Sequence, residues 1–178
     1  MYAVFLIGNK WPGGVLLDKD PEGLAAKKKI EELYLKEIAE SSDSRLPILL
    51  LGDAAGIAKT DAAIEDLFPD DFFRELVNRA YGINIADGDL PEDGSTLISK
   101  RVESVLKARF GQELDKKRVL RELMREFAKW RTASDLPPHV ADRAETLFKK
   151  INSTLSTNES GTTTNSKKAA AKPKKVAS

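Results

Sequence analysis

A chain of 178 residues with 41% hydrophobic residues has enough apolar material for one core of ordinary size. Its 29 basic and 28 acidic groups nearly cancel, so net charge implies no polyanionic partner and any charge argument has to be local. With no cysteine and a single histidine, His139, disulfides, thiolate sites and His-rich zinc sites are excluded, which leaves carboxylates around a hard cation as the open metal chemistry.

The first apolar run, Tyr2 to Ile7, is too short for a signal peptide or a membrane span and has no basic segment before it, so a cytoplasmic location is expected. Residues 2 to 7 and 14 to 17 read as short buried strands. They are followed by EGLAAKKKIEELYLKEIAES, in which Ala26, Ile30, Leu33, Tyr34 and Ile38 fall at helical spacing. PILLLGD, residues 47 to 53, is a continuous apolar run of the kind expected for a strand covered on both faces, and the helix before it is the crossover that a parallel pair requires.

From Thr60 onward the pattern is helical. Ile64, Leu67 and Phe68 precede Pro69, and Phe72, Leu76, Val77 and Ala80 follow an acidic first turn, with Gly82 expected to close the helix. Past a loop rich in Gly, Asp and Pro come three more amphipathic helices. The first carries Ile98, Val102, Val105 and Leu106, and the second Val119, Leu123, Phe127 and Trp130. The third, opened by SDLPP, carries Ala144, Leu147, Phe148 and Ile151. From Ser156 large apolar residues almost vanish and five lysines appear, which predicts a disordered tail able to hold nucleic acid weakly through phosphates but more readily read as solubilising. Trp11, Trp130 and Phe127 read as core or groove-lining residues, and His139, beside two prolines, as a surface residue.

The stretch GGVLLDKDPEG places Asp18 and Asp20 at a strand exit. As a turn, the pair would cap the next helix. As alternate residues at the carboxyl end of a parallel strand, they would face the crevice where such sheets bind ligands, and two carboxylates there suit Mg²⁺ or Mn²⁺.

VLLDKDPEGLAAKKKIEELY is similar to the D-x-D strand-to-helix segment of the TOPRIM fold, the metal-binding module of topoisomerases, primases and several nucleases. AIEDLFPDDFFRELVN, LDKKRVLREL and LPPHVADRAETLFKKIN resemble the C-terminal end of OLD-family nucleases, whose full-length members join an ATPase domain to a TOPRIM domain. The resemblance covers roughly residues 14 to 155 and is strongest around IEDLFP. It implies that Asp18, Asp20 and Asp66 are metal ligands, with Glu65 a further acidic contributor. It also implies a lysine that stabilises charge on a scissile phosphate, Lys116 matching best and Lys100 being the alternative. The implied chemistry is two-metal cleavage of DNA phosphodiesters with Mg²⁺ or Mn²⁺. No Glu precedes Glu22, although the family carries one on an earlier strand, and no ATPase domain is present. The chain is therefore expected to be the C-terminal piece of a longer nuclease, or a shortened descendant, completed by a companion ATPase chain or a homo-oligomer.

Rival readings exist. GDAAGIAKT resembles a phosphate-binding P-loop, but Gly56 is separated from Lys59 where that loop needs Gly-Lys adjacent. A phosphatase resembling the haloacid-dehalogenase family would use Asp18 as nucleophile, Asp20 as acid-base and Asp53 in its metal motif, yet too little chain separates Asp18 from Asp53 for the motifs between. A non-catalytic interaction module would keep the sheet and use the helices to meet a partner. The expected architecture is α/β: a small, mainly parallel sheet of partial TOPRIM or Rossmann-like type over residues 1–113, a helical extension over 114–155 and a disordered Lys-rich tail over 156–178. No membrane association is expected.

Overall fold

The structure, a computed structural model, describes residues 13–37, 46–92 and 95–160. The expected strand at 2 to 7, Trp11 and most of the expected tail lie outside the described residues. The fold is mixed α/β and mostly helical, with a small parallel sheet of two strands.

Strand β1 (Val15–Leu17) pairs in parallel with β2 (Ile48–Leu50), with Val15 opposite Ile48 and Leu17 opposite Leu50. Helix α1 (Pro21–Glu37) lies between them in sequence, as a parallel pair demands. Its start follows from local chemistry. Pro21 suits the first helical position, and Asp20 accepts a hydrogen bond from the Gly23 amide at 2.6 Å, satisfying one of the amides that the first turn leaves unpaired. Leu24 and Leu33 remain 48% and 49% exposed, so this helix buries only a narrow part of its apolar surface among the described residues.

The run expected as a strand through Asp53 divides instead. It leaves the extended conformation at Leu50 and continues as a short helix, α2 (Leu51–Ala54), in which Leu51, Gly52 and Ala54 are buried. A short apolar run satisfies a buried helical turn as well as a strand, and here packing against the C-terminal helix α6 (Val140–Ser160) decides. Leu51, Ala54, Ala55, Ile57 and Ala62 join Leu147 of α6 in one apolar cluster. Helix α6 continues to Ser160, past the point where composition sets the start of the tail, and it starts at Val140, after the prolines. His139, exposed at φ 64, makes that turn.

The larger core is helical. Helix α3 (Asp70–Tyr81) begins after Pro69 and ends at Gly82, whose φ of 66 is the left-handed conformation that favours glycine at a helix end. Phe73, Leu76, Val77 and Ala80 on α3 pack with Ile98, Val102, Val105 and Leu106 of α4 (Ile98–Phe110) and with Val119 of α5 (Lys116–Phe127). Burying each such Leu, Ile or Val stabilises by about 2 kcal/mol at most. Helix α5 thus shares its core with α3 and α4, and a boundary at residue 113 would cut through that core.

Candidate functional site

The site is assembled by an isolated antiparallel bridge. Just past β1, the Lys19 amide donates to the Ala62 carbonyl at 2.7 Å, and the Ala62 amide donates back to Lys19 at 2.7 Å. This lays the segment before the 3-10 turn Ile64–Leu67 alongside the strand exit, so that the Asp18 carboxylate accepts a hydrogen bond from the Ile64 amide. Glu65 follows directly, and Lys116, the first residue of α5, reaches it with Nζ 2.6 Å from Oε1. Residues from three distant stretches, Asp18, Glu65 and Lys116, therefore stand near enough for their charges to act on one another, with Lys116 and Glu65 in direct contact.

The electrostatics reflect that crowding. Burial, then the charges of Glu65 and Asp20, push the Asp18 carboxyl above the ordinary carboxylate range, against the opposing pull of Lys116 and the Ile64 amide. Burial by itself would lower the Lys116 ammonium, but its hydrogen bond to Glu65 and the charges of Glu65, Asp18 and Glu103 outweigh this and hold it above the usual lysine value. Glu65 is only 11% exposed, and its Oε2 is buried without a hydrogen-bond partner among the described residues. An orphaned carboxylate oxygen costs free energy in a folded chain unless something positive or proton-bearing meets it.

The other expected ligands have different partners. Asp20 spends one oxygen on the Gly23 amide. Asp66, 1% exposed, uses both: Oδ1 accepts from Lys59 at 2.7 Å and Oδ2 from the Ala63 amide at 2.9 Å. Lys59 also meets Asp70 at 2.7 Å, and Arg101 reaches the same Asp70 at 3.3 Å. This part-buried network anchors the 3-10 turn through Asp66, and Arg143 of α6 fastens it by donating to the carbonyls of Asp66, Leu67 and Phe68 at 3.0, 3.3 and 3.4 Å. Lys100 pairs with Glu103 at 3.5 Å on the exposed side of α4, so Lys116 and not Lys100 stands at Glu65. Sequence reasoning missed Lys59 and Arg143 as supports, since no local pattern links them to Asp66.

Among the described residues, no group of three or more Asp, Glu, His or Cys is already arranged to hold a metal ion. The carboxylates present nonetheless fit one divalent cation better than two. When Asp18, Asp20 and Glu65 are ionised, Lys116 offsets one of three negative charges, and the unpartnered Glu65 Oε2 is an acceptor of the hard type such ions take. Both Asp66 oxygens already accept a hydrogen bond, one from an ammonium and one from an amide, whereas Glu65 Oε2 accepts none among the described residues. Asp53, the residue that a haloacid-dehalogenase-like phosphatase would place in its metal motif, is exposed and pairs with Lys19 at 2.7 Å. No helix among the described residues is long and apolar enough to cross a membrane.

Compared with protein-family models, with curated protein sequences and with solved structures, the chain matches none.

Proposed function

We propose that Asp18, Glu65 and Lys116 form a phosphodiester-handling site of the TOPRIM type, in a chain related to the C-terminal region of OLD-family endonucleases. The observation that carries this reading is the meeting of the three residues. Glu65 lies in IEDLFP, where the resemblance is strongest, and Asp18 in the D-x-D segment; the two sit close enough for the charge of Glu65 to act on Asp18, and Lys116 pairs with Glu65. The acidic contributor after the D-x-D is then Glu65, while Asp66 supports the turn that presents it. Asp18 and Glu65 would hold Mg²⁺ or Mn²⁺, with Asp20 beside them. When bound, such an ion polarises a phosphate oxygen and eases deprotonation of water. Lys116 supplies a positive charge where negative charge develops on the phosphate, and the 61% exposure of its side chain leaves it able to turn toward a substrate.

The parallel β1–β2 unit with its crossover is, on this reading, a partial TOPRIM-like sheet, and DNA is the substrate class that the resemblance brings. On this reading a companion ATPase chain or a second copy takes part in cleavage, as the resemblance implies. The test is calorimetric titration with Mn²⁺ and Mg²⁺ of the wild type against Asp18→Asn/Glu65→Gln, with plasmid nicking followed in the same samples. Binding by the wild type and its loss in the double variant support the site, and nicking tells whether it is complete. Equal binding by both proteins sinks the metal reading and leaves the interaction module, for which the exposed Leu16, Leu24 and Leu33 around β1 and α1 are the natural contact surface.

A further inference from the structure

Helix α5 and the turn that follows it carry an unusual combination of side chains on their outward surface. Between Lys116 and Arg131 there are seven basic residues, Lys116, Lys117, Arg118, Arg121, Arg125, Lys129 and Arg131, against Glu122 and Glu126, in a chain whose net charge is only +1. Several are accounted for. Lys116 holds Glu65, Arg118 lies over the Tyr81 ring at 4.4 Å, Arg125 pairs with Glu122, and Lys129 pairs with Glu126. Lys117 and Arg121 have no acidic partner among the described residues; Arg121 donates only to the helix carbonyl of Lys117. Beside these cations three large apolar side chains face solvent: Leu120, Met124 and Phe127 are 52%, 55% and 41% exposed. Phe127 is held in place by Trp130, with ring centroids 4.8 Å apart, and by Phe68 at 6.4 Å.

Whatever covers this face has to satisfy cations and apolar surface together. The chain's two terminal segments outside the described residues do not: residues 1–12 contain no acidic residue, and 161–178 contain five lysines and no acid. Residues 38–45, IAESSDSR, offer Glu40 and Asp43 but only one large apolar side chain, Ile38, and 93–94 offer Asp93 and no apolar side chain. A single nucleic-acid strand meets both demands at once, offering phosphates to Lys117 and Arg121 and bare base faces to Leu120, Met124 and Phe127. Residues four apart on a helix rise about 6 Å along it, so Lys117, Arg121 and Arg125 form a row directed along the helix axis. That row starts next to Lys116, where the candidate site lies. A duplex would present its phosphates but keep its bases stacked inside, leaving the apolar stripe uncovered.

We propose that the exposed face of α5 is a binding track for single-stranded nucleic acid, leading away from the Asp18, Glu65 and Lys116 cluster. The proposal rests on the phosphodiester reading for its direction, but its test does not depend on cleavage or on metal. Binding of a fluorescent oligothymidylate is measured in EDTA against salt, beside a duplex of equal length, for the full chain and for two variants. Lys117→Gln/Arg121→Gln removes the phosphate contacts, and Leu120→Gln/Met124→Gln removes the apolar ones. All four positions are exposed, and circular dichroism checks the fold.

The expected result is tighter binding of the single strand than of the duplex. The first variant should bind about tenfold more weakly at low salt, with the slope of log affinity against log salt shallower by about 1.4, two contacts' worth. The second should lose several-fold with the slope unchanged. Equal loss on single strand and duplex, or duplex preferred, overturns the single-strand assignment. Unchanged oligonucleotide binding in both folded variants overturns the track. If the second variant then also abolishes self-association on gel filtration, the face belongs to a second copy instead. Manganese titration of the same variants separates the two readings, because metal binding that survives while oligonucleotide binding is unaffected rejects the track and spares the site.

Discussion

Lys116 Nζ lies 2.6 Å from Glu65 Oε1, and this contact ties the first residue of α5 to the 3-10 turn that faces the β1 exit. The ammonium occupies one oxygen of a carboxylate whose other oxygen is buried and unpartnered. A cation entering beside Asp18 therefore competes with Lys116 for Glu65. Lys116→Met is expected to raise Mn²⁺ affinity about three- to tenfold, the size of a partly exposed ion pair, while any nicking by the completed enzyme falls. Calorimetric titration decides it. A fall in affinity would mean that the lysine props the carboxylates in position rather than competing with the ion.

Asp18 gives a pH signature. Burial and the neighbouring charges of Glu65 and Asp20 raise its pKa above the ordinary 3.8, so the native state holds the proton more tightly than the unfolded chain does. Native stability then falls as pH rises from 3.8 through the raised value, and the full penalty persists above it. Asp18→Asn, which never ionises, should raise Tm in EDTA at pH 7 by up to about 4 °C. The gain should be gone at pH 3. Saturating Mn²⁺ should reverse the order, because only the wild type gains binding energy. An identical gain at both pH values would point to packing and not to charge.

The parallel strand pair, its crossover helix and the four long helices α3 to α6 together with α1 were legible because period and capping agree. Leu16 and Leu49 sit in uninterrupted apolar runs, Leu76, Val77 and Ala80 repeat at helical spacing, and Gly82 stands where the helix stops, although Phe73 and not Phe72 is the phenylalanine that α3 buries. What was illegible depends on contacts distant in sequence. Nothing local announces that Lys19 will bridge Ala62, yet that bridge puts Asp18 beside Ile64. Nor does IEDLFP tell which of two adjacent acids turns toward the strand. The 3-10 turn decides this by sending Glu65 outward to Lys116 and Asp66 inward to Lys59, and only its backbone bonds, Asp66 amide to Ala63 and Phe68 amide to Glu65, define that geometry. The end of β2 at Leu50 is a similar case, since Leu51 is equally apolar and only its packing with α6 makes it helical.

Asp66 separates support from ligation. Asp66→Ala would strip Lys59 of one of its two carboxylates and leave the Ala63 amide without its acceptor. Because Asp66 is fully buried while Lys59 keeps some solvent and Asp70, a loss of about 2–4 kcal/mol is expected in chemical denaturation. Mn²⁺ affinity of the folded fraction should change by less than about threefold if, as proposed, Asp66 supports the turn through Lys59 and the Ala63 amide while Glu65 meets the ion. Loss of metal binding at unchanged stability would restore Asp66 as a ligand and remove Glu65 from that role.

Gly23 is the residue on which the Asp18–Asp20 turn closes most tightly. A Cβ built there would stand 2.0 Å from the Asp18 carbonyl oxygen and 3.2 Å from Asp20 Oδ1, far inside contact distance to the backbone. The obstacle is backbone and not a flexible side-chain end, so the turn has to open. Opening it breaks the Gly23 amide bond to Asp20 and shifts Asp18 away from Ile64. In an ordinary helix Gly→Ala stabilises, so an increase in Tm is the naive expectation. Here Gly23→Ala is expected to cost about 1–3 kcal/mol and to weaken Mn²⁺ binding at least about tenfold, the two losses occurring together. Gly23→Ala with raised stability and unaltered metal affinity would show that the strand exit tolerates a wider turn, and that Asp18 reaches the cation without the geometry described.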